Sequence, residues 1–280
     1  MANHYQILPT FDGTDIFYYY QVPASPKAIV VISHGYGGHA GQYTDFAEFL
    51  YQNGYGVYAF DHRGHGHSPT PKGQVEDYQH FVSDLDHLVL FIKNAHPKTP
   101  IYTFGHSMGG FIVFIYGILH PSTVRGQILS APALGAPWGT HLIPSWFWHL
   151  GGKYFPKLKI YHLVKRQSCR DSVFRRSLRH DPYVLKYSTL GFFDQFIYRG
   201  INWAVANSAR YQLPCLILHS KQDKIIPYQS SVHIYNRITA KDKTLKLYEK
   251  LNHQLVQEPE RDQVMQEILT WLDSRTLRHS

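Results

Sequence analysis

The fold is decided by Ile101-Tyr102-Thr103-Phe104-Gly105-His106-Ser107-Met108-Gly109-Gly110-Phe111-Ile112-Val113-Phe114. A β-rich apolar run leads into Gly-His-Ser-Met-Gly, and an apolar helical run follows to about Leu119. A serine between two glycines where a strand passes into a helix has the pattern of a nucleophile elbow, G-x-S-x-G. The glycines answer a steric demand, because the turn is too tight for Cβ atoms at the flanking positions. The turn lifts the Ser107 hydroxyl to a helix N-terminus, where the first backbone N–H groups lack intrahelical partners and can bind an oxyanion.

Outward from this stretch the chain alternates strands and helices. Tyr5 to Pro9 and Ile16 to Val22 flank Asp12-Gly13 as a hairpin. Ala28 to Ser33, Tyr55 to Phe60 and Gln127 to Ser130 read as buried strands, and so do residues 213–219 and 243–249. Between 77 and 95, Tyr78, Phe81, Val82, Leu85, Leu88, Val89 and Ile92 recur at spacings of three and four, which predicts an amphipathic helix. Helices are also predicted near 228–238 and 259–276. Alternation with short links predicts an α/β chain with a doubly wound, mostly parallel sheet, edged by the antiparallel strands of the hairpin.

The rhythm breaks between 135 and 210. This stretch holds 12 Lys and Arg against three acids, and four of the five tryptophans: Trp138, Trp146, Trp148 and Trp203. The remainder holds 16 basic and 17 acidic residues, so the formal charge of +8 is a +9 segment on a nearly neutral body. A mostly helical insertion is expected here, dividing the chain into a core, 1–134 with 211–280, and a basic, aromatic-rich cap, 135–210.

With 280 residues, 44% of them hydrophobic and 17% charged, the chain has the make-up of a globular protein and excludes disordered, collagen-like and coiled-coil classes. No apolar stretch approaches a membrane span, and the N-terminus lacks the basic and apolar regions of a secretory signal. Two cysteines cannot make a disulfide framework or a cysteine metal cluster, so a reducing, cytoplasmic setting is expected. Cys215, inside a strand run, is expected in the core; Cys169, in the basic segment, is expected to be exposed.

Serine is a poor nucleophile at neutral pH and requires a base, which in turn requires an orienting acid. On this kind of sheet the three follow in the order Ser, acid, His. Asp223 stands at the end of Leu213-Pro214-Cys215-Leu216-Ile217-Leu218-His219-Ser220-Lys221-Gln222, and His253 follows the last strand run. Asp45, Asp61, Asp84 and Asp86 precede the elbow. The loop His34-Gly35-Tyr36-Gly37-Gly38-His39 is a candidate oxyanion loop, with the backbone N–H groups of Tyr36 and Met108 as donors. A rival reading takes Gly35, Gly37 and Ala40 with Asp61 as a dinucleotide-binding fingerprint, but leaves Ser107, Asp223 and His253 unexplained. Asp61-His62-Arg63-Gly64-His65-Gly66-His67-Ser68 packs three histidines into six residues; alternating with glycine they do not converge on one ion, and the stretch reads as a structural loop. No metal and no cofactor are expected.

These elements together resemble the serine-hydrolase branch of the α/β-hydrolase superfamily, most closely the monoacylglycerol lipase and lysophospholipase group, from about residue 10 to 275. The resemblance rests on the 34–39 loop, the 61–68 loop, the elbow, Asp223 with Pro227, and His253. It implies an eight-stranded sheet with a helical cap inserted after the sixth strand. It also implies a serine carboxylic ester hydrolase acting on single-chain lipids, monoacylglycerol or lysophospholipid, through an acyl-enzyme. This chain departs from those lipases at Tyr36 and Gly38, where they carry a small and an acidic residue, which puts the size of the acyl pocket in question. A small-ester or thioester hydrolase, a peptidase on the same scaffold and a noncatalytic hydrolase-like binding protein are the alternatives.

In the cap, Ile143, Trp146, Phe147, Trp148 and Leu150 form an apolar cluster. Lys153, Lys157, Lys159, Lys165, Arg166, Arg170, Arg175, Arg176 and Arg179 follow it. Aromatic residues settle at headgroup level and cations favour anionic surfaces, so the expected partner is an anionic membrane met peripherally by the cap. Alternatively the aromatics pack the cap onto the sheet beneath a solvated basic face. Nucleic acid is not expected, because no recognition motif accompanies the charge.

Overall fold

Continuous apolar runs form the centre of the sheet, as a strand covered on both faces requires. The strands are β1 (His4–Pro9), β2 (Asp15–Gln21), β3 (Ile29–Ser33), β4 (Gly56–Phe60), β5 (Ile101–His106), β6 (Gly126–Ser130), β7 (Lys159–Tyr161), β8 (Tyr187–Thr189), β9 (Cys215–Ser220) and β10 (Lys243–Tyr248). Every residue of β3, β4, β5, β6 and β9 is buried. The computed structural model describes residues 4–137, 145–161 and 168–276; Trp138, Ile143, Lys165 and Arg166, singled out above, lie outside them.

Eight strands make one sheet in the order β1-β2-β4-β3-β5-β6-β9-β10. The hairpin β1–β2 is antiparallel and β2 joins β4 antiparallel; every other pairing in the sheet is parallel. The hairpin turns at Gly13, whose φ of +78° is open to glycine at no steric cost. Parallel neighbours need crossovers, and α1 (Thr44–Gln52), α2 (Gln79–Ala95) and α3 (Met108–Leu119) supply the first three.

Between β6 and β9 come α4 (Ser145–Tyr154), α5 (Ser172–His180), α6 (Leu190–Phe193), a π-helical turn at Asp194–Gly200, and α7 (Ile201–Ala206). α8 (Tyr228–Arg237) and α9 (Arg261–Thr276) complete the chain. The two faces of the sheet carry separate cores. One is built with α2, α3 and α8 and includes Phe81, Phe111 and Ile234; the other is built with α1 and α9 and includes Phe46, Phe104 and Leu272. α3 is buried on all sides from Met108 to Ile118, the condition of a helix apolar all round. Each large aliphatic side chain fully buried there contributes about 1.5–3 kcal/mol, so α3 is a rigid mount for the residue that precedes it.

The 135–210 segment, expected to be mostly helical, also carries a short antiparallel sheet of β7 with β8. Three residues apiece are too few to show a period of two. The expectation that Cys169 is exposed is corrected: it is fully buried, because the chain after β10 folds over it and the Cys169 thiol donates to the Gln257 carbonyl at 3.3 Å.

Candidate active site

The strand order reverses at β3, which leads to β4 on one side and to β5 on the other. Open α/β sheets bind ligands at such a reversal, outside the carboxyl ends of the strands. The loop after β3 is residues 34–39, and the residue after β5 is Ser107, so the candidate oxyanion loop and the elbow flank that crevice. A depression of about 700 Å³ at the opposite edge, lined by Lys93, Arg125, Pro214 and Arg275 among others, lies at the wrong ends of the strands for this chemistry.

Ser107 has φ 54° and ψ −114°, a conformation that costs about 1–3 kcal/mol and survives where its surroundings over-determine it. Its N–H donates to Ser130 O at 2.9 Å, and its carbonyl accepts from Phe111 N at 3.0 Å and Ala133 N at 2.9 Å. Both glycines of the elbow are sterically obligatory. A Cβ on Gly105 would run into the Gly109 carbonyl, and one on Gly109 into the Ser33 carbonyl. The 34–39 loop lies directly against the serine: a Cβ on Gly35 would stand 2.9 Å from the His106 ring and 3.3 Å from Ser107 Cβ.

The structure brings Asp223 and His253 together. His253 Nδ1 lies 2.6 Å from Asp223 Oδ2, with both side chains almost fully buried. The other oxygen of Asp223 accepts from the N–H groups of Ile225 at 2.7 Å and Ile226 at 3.0 Å. Burial by itself would raise the Asp223 carboxyl, but the facing His253 and hydrogen bonds from His219 and His253 outweigh it and hold the group well below the usual carboxylate range. Asp223 is therefore an anion that accepts from Nδ1–H, and leaves Nε2 of His253 to act as base. The His253 ring packs against His106, with centroids 4.7 Å apart, which sets it beside the residue preceding Ser107.

Two further histidines belong to this arrangement and were not singled out in the sequence. His219 Nε2 lies 3.1 Å from Asp223 Oδ2 and 3.2 Å from Ile226 O, so this nitrogen donates, while Nδ1 accepts from Ser231 Oγ at 2.7 Å. Its signal was the spacing of four to Asp223 at the end of a strand. His106 is buried, and desolvation, helped by its neighbour His253, pushes it well below the ordinary histidine value. His34 and His62 are driven down by burial in the same way. His34 Nδ1 donates to Gly35 O at 2.8 Å and Nε2 accepts from His62 N at 3.1 Å, which fixes the tautomer and props the loop from beneath.

Tyr36 lies on the 34–39 loop, and Met108 at the first position of α3, directly after Ser107. The Tyr36 ring packs against Phe192 and Phe193, with centroids at 5.3 and 5.9 Å, so the cap roofs the loop with aromatic rings. Trp148 joins from α4 at 5.5 Å from Phe193, half-buried. Trp146 and Phe147 face solvent instead, as do Leu150, Tyr154, Phe155, Leu158 and Tyr161. Lys153 and Lys157 are exposed among them. Not all the cap cations are available to a partner. Arg170 bonds Glu258 and Glu260, Arg199 bonds Asp194, and Arg175 donates to the carbonyls of Cys169 and Arg170.

The dinucleotide reading fails on Asp61. The carboxylate is fully buried and accepts from Ala40 N and His67 N at 2.6 Å each, so no ribose can reach it. The 61–68 loop is an internal brace: Arg63 spans Asp84 of α2 and Asp12 of the hairpin turn. His39, Asp61 and His67 do converge, with potential ligand atoms within 4.8 Å of one another. Two of the three are engaged within the protein, however, with Asp61 accepting as above and His39 Nδ1 accepting from Gly41 N at 3.1 Å.

The pattern of the family described as "Serine aminopeptidase, S33" matches residues 24–260. The chain is 33% identical over 264 residues to the monoacylglycerol lipase of Mycolicibacterium smegmatis, covering 94% of each. It is 30% identical to the monoglyceride lipase of Rattus norvegicus, over 97% of this chain and 92% of that one. Among solved structures it superposes on a soluble variant of monoglyceride lipase from Saccharomyces cerevisiae in complex with a substrate analog. That superposition has a TM-score of 0.88 at 26% identity, and covers 98% of this chain and 96% of that one.

Proposed function

The chain belongs to the family described as serine aminopeptidase, S33, and from that premise we propose that it is a serine carboxylic ester hydrolase acting on single-chain lipids, monoacylglycerol or lysophospholipid. The observation that carries this is the buried Asp223–His253 pair at 2.6 Å, packed on the residue before a strained serine whose neighbouring loop is roofed by aromatic rings. Ser107 Oγ attacks the ester carbonyl while His253 Nε2 takes its proton. Asp223 holds the Nδ1–H tautomer and stabilises the imidazolium. The tetrahedral oxyanion accepts from the N–H groups of Tyr36 and Met108. His253 returns the proton to the leaving alcohol, and water, activated by the same base, releases the fatty acid and regenerates Ser107. These steps call on no metal or cofactor.

The likeness to monoacylglycerol and monoglyceride lipases supports a lipid ester over a small ester. The rings of His65, Phe192 and Phe193 packed on Tyr36 favour an acyl chain over a peptide there. Residues 135–210 act as a cap that docks on anionic membrane. The exposed rings of Trp146, Phe147, Tyr154 and Phe155 alternate along α4 and the following turn with Lys153 and Lys157, apolar bodies and cations in the pattern of an interfacial surface.

Turnover of monoacylglycerol, lysophosphatidylcholine and lysophosphatidylglycerol over a series of acyl chain lengths tests the reading, with Ser107→Ala as control. Preference for medium or long chains and complete loss in the control are expected; equal rates on acetyl and lauroyl esters would remove the lipid assignment.

A further inference from the structure

One stretch of the cap lies antiparallel along the candidate oxyanion loop and is fastened to it at three places. His39 Nε2 is 2.7 Å from Asp181 Oδ2; since Nδ1 accepts from Gly41 N, Nε2 carries the proton and donates. Leu185 N donates to Gly37 O at 2.9 Å. Tyr36 Oη donates to Ser188 Oγ at 2.8 Å. The stretch is itself anchored at both ends. The Tyr183 ring packs against His67, tilted, at 3.6 Å between centroids, and Thr189 N donates to Gly73 O at 2.9 Å.

The loop needs such support. Glycines at 35, 37 and 38 give it the greatest backbone freedom, and Gly37 has a φ of +74°. An oxyanion donor must stand within a few tenths of an ångström of its working position, because donors act by being preorganised. A glycine-rich loop does not hold one there alone. Each fastening fixes a different part: the bond to the Gly37 carbonyl orients the Gly37–Gly38 peptide that follows the donor, the Tyr36 hydroxyl holds that side chain, and His39 ties down the loop's far end.

We infer that cap residues 181–189 splint the oxyanion loop, and that Asp181 and Ser188 are positioning residues that set the Tyr36 N–H over Ser107. This rests on the ester-hydrolase reading above. A donor acts on the transition state, so its displacement lowers kcat while KM holds.

The test uses the full chain and a water-soluble short-chain ester below its aggregation concentration, so that surface binding does not enter. Asp181→Ala, Ser188→Ala, their double variant, Tyr36→Phe and Asp181→Asn are compared for kcat, KM and inhibition by an alkyl boronic acid, a mimic of the tetrahedral state. Asp181→Ala and Ser188→Ala are each expected to lower kcat about tenfold, with KM within about twofold, and to weaken the boronate in parallel. Asp181→Asn, which still accepts from His39, should recover most of the loss. Tyr36→Phe removes one oxygen and preserves the packing, so it gives the same answer should the alanine variants fold poorly.

A double variant or a Tyr36→Phe variant with kcat and boronate affinity within about twofold of the parent overturns the splint, and so does a loss confined to KM. If the parent turns over no ester and matches Ser107→Ala, the ester-hydrolase reading falls and takes the splint with it. An active parent with unaltered variants overturns the splint alone.

Discussion

Ser107 is held by three backbone hydrogen bonds in a conformation most residues avoid, and the His253 imidazole is steered by a chain of three groups: Ser231 to His219, His219 to Asp223, Asp223 to His253. Replacing Asp223 by Asn should keep the geometry and reverse the tautomer preference of His253, lowering kcat by about 10⁴, as read by steady-state turnover. His219→Phe removes one hydrogen bond from the carboxylate and leaves its two backbone donors, so a loss of only about tenfold is expected. Equal losses in the two variants would mean that Asp223 holds the imidazole only with His219 in place, and that its two backbone donors do not suffice. Ser107, Asp223 and His253 stood out as candidates in the sequence because each has a recognisable local setting at a strand end. His219 was not, because one histidine of 19 in an apolar strand looks like any other core residue until the fold turns it onto Asp223.

The loops after β3 and β4 bring His34 and His62 under the oxyanion loop, and the end of β5 adds His106; all three are fully buried and depressed by burial. In the unfolded chain these rings protonate near pH 6.5, whereas in the folded protein they stay neutral to a lower pH. Below about 6.5 the unfolded state therefore binds more protons, and stability falls as pH falls, each histidine adding up to about 1.4 kcal/mol per pH unit. Asp223, depressed like a paired carboxylate, contributes its own loss only at far lower pH. Urea unfolding at pH 7.5, 6.5 and 5.5 should give a steady decline below 6.5; a flat profile would mean that these rings are solvated or protonated in the fold. The five central strands and α3 were legible because continuous apolar runs have no other place to go. β7 and β8 were not, since three residues carry no period and their pairing is decided by the chain that brings them together.

At the scale of the molecule, charge and catalysis occupy different parts, a nearly neutral core and a basic segment with exposed rings. Double charge reversal, Lys153→Glu with Lys157→Glu, should weaken co-sedimentation with phosphatidylglycerol vesicles by tenfold or more, at about 1 kcal/mol per cation, and leave turnover of a soluble ester unchanged. Equal binding to neutral vesicles at low salt would show that charge takes no part. The excess charge was legible by counting, but its division was not: Arg170, Arg175 and Arg199 are spent within the protein, and the partners of Arg170 lie 88 and 90 residues away. The contact of His39 with Asp181 spans 142 residues and was equally beyond local reading. The buried thiols have a practical meaning. Desolvation pushes Cys169 and Cys215 up to about 12, so both stay in the unreactive thiol form at neutral pH. The wild-type chain should resist maleimide under native conditions, so a single cysteine placed on the cap surface could carry a fluorophore without first removing the native pair, and its emission would report directly on when the cap meets lipid.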